Sequence, residues 1–140
     1  MDERIISFIN AQTSLTFATV KDDIPYCATC FYAFISERTS LVIKSDPETL
    51  HIQQALLNNN IAGTIVPDKF LKTKVQGLQF QGKFIVPEKE ILSDAKSAYY
   101  KKYPFALAIH GELWVLDLTF IKFTNNTLSF GKKLKWNKQL

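Results

Sequence analysis

Ile5, Phe8 and Ile9 recur at the i, i+3, i+4 spacing of one buried stripe, so Asp2 to Ala11 reads as a short helix, ended by Thr13 and Ser14. Leu15 to Val20 then suits a strand, and Lys21-Asp22-Asp23 suits a turn. The stretch from Ile24 to Ile35 has almost no polar alternation. A strand of that kind must be covered on both faces. Its own core supplies one cover; in so small a chain, a ligand or a second subunit supplies the other. Ser36 to Thr39 turns the chain into another strand, Ser40 to Lys44.

Ser45-Asp46-Pro47-Glu48-Thr49 carries the signs of a helix start. Asp46 caps, Pro47 takes the first helical position, and Glu48 favours the positive end of the dipole. The helix runs through Ile52, Ala55 and Leu56 and stops in Asn58-Asn59-Asn60. Ile61 to Val66 is a strand closed by Pro67-Asp68. From Val75 to Val86 the period is two: Leu78, Phe80, Phe84 and Val86 face one way, Gln79, Gln81, Lys83 and Ile85 the other. Pro87-Glu88 opens a second helix with Ile91, Leu92, Ala95 and Tyr99 on one face, ending before Pro104. Leu113 to Thr124 is a long strand. Asn125-Asn126 suits a two-residue hairpin turn, because Asn tolerates positive φ, and Thr127 to Phe130 returns. Six or seven strands with helices inserted between them predict a mainly β (α+β) architecture, an antiparallel barrel or strongly curled sheet. Strict βαβ alternation is missing, which argues against a doubly wound parallel sheet.

Composition narrows the class. At 140 residues, 46% hydrophobic and 21% charged, the chain can build one compact core. No repeat or long linker divides it, so residues 1–140 read as a single domain. No apolar run approaches the ~20 residues of a bilayer-spanning helix. Met1-Asp2-Glu3-Arg4 lacks the basic start of a secretion signal, and two cysteines make no disulfide framework. The expectation is a cytoplasmic protein with no membrane partner. Lys and Arg number 17 against 13 Asp and Glu, a net charge of +4, and much of the excess sits in Lys132, Lys133, Lys135 and Lys138. That reads as a solvated basic end. The near-neutral remainder has no phosphate-tracking face, so no nucleic-acid partner is expected. The 11 Phe, with many Val, Ile and Thr, favour pleated surfaces over a helical bundle.

Few residues advertise chemistry. Cys27-Ala28-Thr29-Cys30 is a C-x-x-C inside a strand, where residues three apart face opposite sides and no helix dipole lowers a thiol pKa. Two core cysteines are the expected reading. His51 and His110 match no zinc spacing, so no metal site is expected. The common nucleotide-binding and hydrolase signatures are absent. Ser45, Thr49 and His51 gather at the mouth of the first long helix, where free N–H groups and the dipole attract an anion. They suit a phosphate, provided the Asp46 carboxylate turns away; an ordinary capped helix with polar neighbours is the alternative. Trp114 either stacks on a flat ring or fills the core, Gln79 and Gln81 fall on a polar strand face, and Tyr99, Tyr100 and Tyr103 read as packing.

The order of these pieces resembles, over nearly the whole chain, the split β-barrel flavoproteins related to pyridoxamine 5′-phosphate oxidase, and within them a small, functionally uncharacterised bacterial branch. The resemblance is carried by Gly77-Leu78-Gln79-Phe80-Gln81-Gly82, by Tyr99 to Pro104, and above all by Ile121 to Thr127 leading into Phe130-Gly131-Lys132-Lys133. It implies an FMN-binding split barrel with six or seven antiparallel strands, working as a homodimer with the cofactor in the cleft between subunits. Thr29-Cys30-Phe31-Tyr32 matches the strand whose backbone borders the flavin ring. Ser45 matches the hydroxyl residue closing the next strand, and Thr49 and His51 match the phosphate-binding pair. Gln79 and Trp114 lie near positions that reach the flavin from the partner subunit. His51 departs from the usual fixed cation and makes the phosphate grip pH-sensitive. After Phe123, Thr124-Asn125-Asn126 replaces the Arg-rich substrate run of true pyridoxamine phosphate oxidases, so vitamin oxidation is not implied.

The function implied is a flavin-dependent oxidoreductase acting on an unidentified small molecule or electron donor, with no catalytic residue assigned. The alternatives are a non-catalytic module holding flavin, deazaflavin or haem, and a degenerate barrel without a ligand.

Overall fold

The computed structural model describes residues 1–127 and 133–140. Helix α1 (Glu3–Ala11) is followed by strands β1 (Ser14–Lys21), β2 (Ile24–Ile35) and β3 (Ser40–Ser45). Next come helix α2 (Leu50–Leu57), strands β4 (Asn60–Ile65) and β5 (Gln76–Ile85), and helix α3 (Lys89–Lys102). A 3₁₀ turn at Pro104–Ala108 leads into β6 (Glu112–Asn125) and β7 (Lys133–Asn137). All strands pair antiparallel in the order β3-β2-β1-β4-β5-β6-β7, and an added β3–β6 pairing closes the ring. The expected antiparallel barrel with inserted helices is present.

β6 explains the closure. Its 14 residues give one edge to β5 and divide the other, with Glu112–Asp117 against β3 and Phe120–Thr124 against β7. The register shifts between Gln81 and Gly82, the kind of bulge that lets a sheet curl. At Gly63 a Cβ would run into the Phe80 ring and the Thr16 carbonyl, so the barrel closes there only on glycine.

Two apolar layers use the two faces of β3. Leu41 and Ile43 point into the barrel with Phe17, Tyr32, Phe80 and Trp114, where α1 (Ile5, Phe8, Ile9) and α2 (Ile52, Ala55) also pack. Val42 points outward with Ala33, Ile35 and Val115, beneath Ala95, Tyr99 and Tyr103. Asp2 caps α1 by accepting from the Arg4 N–H at 2.8 Å. Asp22 and Asp23, both at positive φ, make the β1–β2 turn.

Several local expectations are corrected. α2 begins at Leu50 with Thr49 as N-cap, not at Pro47: Asp46 accepts from the Glu48 N–H as a cap does, but the Thr49 N–H closes a single turn on the Asp46 carbonyl and Thr49 itself is extended, so the helix starts only after it. Leu56 and Val86 are exposed, not inward-facing. Thr124 stands opposite Lys133, so Asn125-Asn126 is not a two-residue hairpin turn; Asn125 ends β6 and accepts from the Thr127 N–H. The returning strand expected at Thr127–Phe130 falls, beyond Thr127, outside the described residues, as do Phe130, Gly131 and Lys132 of the family-like run. The basic end is solvated as expected, and ordered: Lys133 and Lys135 lie exposed in β7, and Lys138 pairs with Asp117 at 2.7 Å. Cys27 is exposed and Cys30 half-buried, so they are not two core cysteines. β2 is covered on both faces only from Tyr32 onward, where α3 packs. Its first part stays open, with Ile24 at 69% and Phe31 at 48% exposure.

Candidate cofactor cleft

A cleft of about 480 Å³ opens where β3 ends, between Thr29, Cys30 and Phe31 on β2 and the wall formed by Phe105, Ala106, Ile109 and His110. That volume lies in the usual range of small-molecule sites, ~300–1,000 Å³.

At one end three polar side chains converge. Ser45 Oγ lies 2.7 Å from His51 Nε2, Thr49 Oγ1 lies 3.3 Å from the same nitrogen, and the two hydroxyls are 3.4 Å apart. Local structure holds them there. The Trp114 indole N–H donates to the Ser45 carbonyl at 2.9 Å, fixing the end of β3. Thr49 donates its hydroxyl back to the Asp46 carbonyl at 2.8 Å, so no side chain caps α2. The first-turn N–H groups are left for another acceptor. His51, in that turn, rests edge-on against Phe17 at 5.6 Å. Burial lowers its pKa below the ordinary 6.5, so the imidazole is neutral at pH 7. Asp46 turns away: its carboxylate accepts from the Glu48 N–H at 2.8 Å and approaches His110 Nε2 at 3.2 Å. The arrangement offers donors to an anion and keeps the nearest carboxylate off it.

The remaining sequence candidates divide. Thr29, Cys30 and Phe31 line the cleft. Thr29 shares a hydrogen bond with Thr16 at 3.1 Å, and Phe31 stacks on Tyr103 at 5.6 Å. Burial pushes the Cys30 thiol up to about 11, which keeps it protonated. Tyr32 does not line the cleft: the residue is fully buried, its hydroxyl donates to the Ile9 carbonyl at 2.5 Å, and its own carbonyl accepts from the Tyr103 hydroxyl at 2.6 Å. Trp114 is a core residue stacked on Phe84 at 5.3 Å. Gln79 lines a separate hollow of about 430 Å³ on the outer sheet face. Neither Trp114 nor Gln79 lines the cleft of its own chain.

Sequence reasoning passed over Lys44, Phe105, Ala106 and Ile109, and it read Tyr99 as packing and His110 only against zinc; all six line the cleft. Lys44 carried a signal, as the lone charge of its strand, directly after the apolar run Leu41-Val42-Ile43. The wall carried none, since nothing in Phe105 to Ile109 distinguishes it from a core segment.

The outer face around Gln79 is laid out in rows. Thr29, Thr16, Thr64 and Gln79 stand side by side across β2, β1, β4 and β5; Cys27, Ala18, Ala62 and Gln81 form the next row. None of the eight is charged. Among the described residues no group of three or more His, Cys, Asp or Glu is placed to hold a metal ion, and no helix is long and apolar enough to cross a membrane.

No family profile matches the chain. A UPF0306 protein of Photorhabdus laumondii is 33% identical over 131 residues, 94% of this chain and 92% of that protein. A UPF0306 protein of Yersinia pseudotuberculosis is 32% identical, over 94% of this chain and 89% of its own length. Among solved structures, a haem-binding protein of Mycobacterium smegmatis superposes with a TM-score of 0.78 at 14% identity, covering 93% of this chain and 56% of that one. An FMN-binding protein of Nostoc punctiforme, related to pyridoxamine 5′-phosphate oxidase, superposes with a TM-score of 0.65 at 12% identity, covering 97% and 84%. The fold is that of the split barrels.

Proposed function

The chain belongs to the UPF0306 family of bacterial proteins, and from that premise we propose that it binds FMN as a homodimer and works as an oxidoreductase on a small molecule. The observation that carries this reading is the convergence of Ser45, Thr49 and His51 beside the uncapped start of α2, with the Asp46 carboxylate turned away. A phosphate fits that donor set, and the apolar cleft beside it fits a flat ring system. The names of the Nostoc and Mycobacterium neighbours support a planar cofactor in this fold.

Each residue has a stated task. Ser45 donates its hydroxyl hydrogen and His51 its Nε2 proton to the phosphate; Thr49, whose hydrogen is held by the Asp46 carbonyl, fixes the turn beside them, and Trp114 holds Ser45 in place. Thr29, Cys30 and Phe31 border the ring, while Phe31 and Phe105 limit water. Bound flavin supplies the hydride chemistry. The uncharged rows on the outer sheet face are the proposed subunit interface, from which the partner's Gln79 would approach the cofactor.

A second reading, a module that holds its ligand without turnover, is favoured by one observation. Three titratable groups that line the cleft have shifted pKa values: burial pushes Cys30 up to about 11 and Tyr99 up to about 12, and lowers His51. Cys30 and Tyr99 hold their protons and so offer no base, and His51 is committed to the phosphate in this reading. Mass spectrometry and visible absorbance of the purified protein test the cofactor. Flavin-band absorbance with a co-purifying mass of FMN supports both readings, and a colourless protein that takes up no added FMN overturns them. Anaerobic bleaching by reduced nicotinamide, far faster than for free FMN, selects the enzyme; binding without bleaching selects the module.

A further inference from the structure

Lys44 alternates with Ile43 and Ser45 along β3, so it leaves the strand on the α3 side and enters the cleft away from the His51 group. Its ammonium donates to the Ala106 carbonyl at 2.7 Å and stands 5.0 Å from the centre of the Tyr100 ring. An ammonium has three donors, so one carbonyl and one aromatic face leave it short of an acceptor. The ion pairs among the described residues use Asp2, Asp94, Asp46 and Asp117, and none includes Lys44. This is a half-buried cation without a counter-charge.

A second donor on the same cleft is in the same condition. The Tyr99 ring lies 5.8 Å from that of Tyr100, and Tyr99 also lines the cleft. The residue is only 3% exposed, yet its hydroxyl makes no hydrogen bond to any described residue. That oxygen is not sealed in protein either, and the cleft is the hollow it borders. Burial pushes its pKa up to about 12, so the phenol keeps its proton and can only gain by finding an acceptor. Around the pair the surface is apolar, with Phe31, Phe105 and Ile109 all about half exposed.

We propose that Lys44 and Tyr99 form a second anion-binding position in the cleft, one that takes the carboxylate of an organic acid with an apolar body. The proposal rests on the reading that Ser45, Thr49 and His51 hold the cofactor's phosphate, which leaves this end for the reaction partner. The ammonium neutralises the carboxylate, the phenol donates to its second oxygen, and the apolar body lies against Phe31 and Phe105.

The test titrates benzoate, with benzamide as its neutral match, into the purified protein by calorimetry, with and without bound FMN. The parent prefers benzoate by about tenfold, the margin of a charged over a neutral hydrogen bond. Lys44→Met abolishes that preference. Tyr99→Phe weakens benzoate several-fold and leaves the unfolding midpoint unchanged, since the lost hydroxyl had no partner; it therefore tests the position even if Lys44→Met fails to fold. Neither change alters FMN affinity. Equal binding of the two probes by the parent, no benzoate binding at all, or a preference that survives both substitutions overturns the proposal. Lys44→Met that loses FMN but keeps the benzoate preference also overturns it, because Lys44 then serves the cofactor. A parent that binds no FMN sinks the proposed function alone; the titration without FMN still decides this position.

Discussion

Replacing His51 by Ala removes the ring nitrogen that lies 2.7 Å from Ser45 Oγ and 3.3 Å from Thr49 Oγ1. In the proposed site that nitrogen donates to a phosphate, and a hydrogen bond to a charged group is worth about 1.5–3 kcal/mol. At about 1.4 kcal/mol per factor of ten, FMN affinity falls roughly 10- to 150-fold. Riboflavin has the same ring without the phosphate, so its affinity stays constant. Fluorescence quenching of each flavin, titrated against parent and variant, measures both numbers. FMN and riboflavin weakening by one common factor would assign His51 to the shape of the site, and unchanged FMN affinity would remove it altogether.

The same residue fixes the sign of the pH dependence. His51 has a lowered pKa in the ligand-free protein because burial disfavours its charged form. A bound phosphate dianion favours the charged form, so binding takes up a proton. FMN affinity therefore rises as pH falls through the pKa of the complex, by at most tenfold per unit, and levels off below the pKa of the free protein. Between pH 8 and 6.5 the phosphate itself stays largely dianionic, with its second pKa at about 6. His51→Lys abolishes the slope there and tightens FMN, because the charge no longer titrates. A parent affinity that is flat across this window would refute the assignment.

Ala62→Lys places an ammonium in the uncharged row between Ala18 and Gln81; light scattering then finds the 16.0 kDa chain where the parent has twice that mass, and a parent that is itself monomeric ends the dimer reading. Tyr103→Phe removes the hydroxyl that donates to the Tyr32 carbonyl at 2.6 Å and lies 3.0 Å from that of Thr13, which costs about 1–2 kcal/mol in urea unfolding; no loss would mean water replaces it freely. Gly63→Ala drives a methyl into the Phe80 ring and the Thr16 carbonyl, and the overpacking costs about 1–3 kcal/mol or more by the same assay.

What was legible in the sequence was whatever a short window of residues decides. Alternation from Leu78 to Phe84 marked the buried face of β5 because each inward residue meets the barrel directly. Asp2 and the Ile5-Phe8-Ile9 stripe likewise decide α1 within one turn of chain. Long-range competition was not legible. Nor was the helix start: Asp46-Pro47-Glu48 has every local mark of one, and Asp46 even accepts from the Glu48 N–H as a cap does, yet Thr49 is extended and α2 waits for Leu50. Asn125-Asn126 suits a tight turn locally, yet the edge of β6 at Thr124 pairs with Lys133. In the cleft, Ser45, Thr49 and His51 lie within seven positions and could be read together. Lys44, Tyr99 and Phe105 are joined only by folding.

The strand that first raised the question, Ile24 to Ile35, now separates two kinds of cover. From Tyr32 on, α3 shields the outward face; before it, Phe31, Thr29 and Cys27 remain open. These open residues belong to two features at once. Thr29 lines the cleft, and it is also the first member of the row that continues through Thr16 and Thr64 to Gln79. A second chain laid on that row by a two-fold axis would therefore reach the mouth of the cleft, and its own row would bring Gln79 there in exchange. Ligand and subunit, set out at first as alternative covers for one apolar strand, become neighbours on it. The physical consequence is coupling: a substitution in the row, such as Ala62→Lys, weakens FMN as it separates the subunits, although Ala62 touches neither Ser45 nor His51. FMN affinity that stays constant while the dimer dissociates would show instead that one chain closes the site alone.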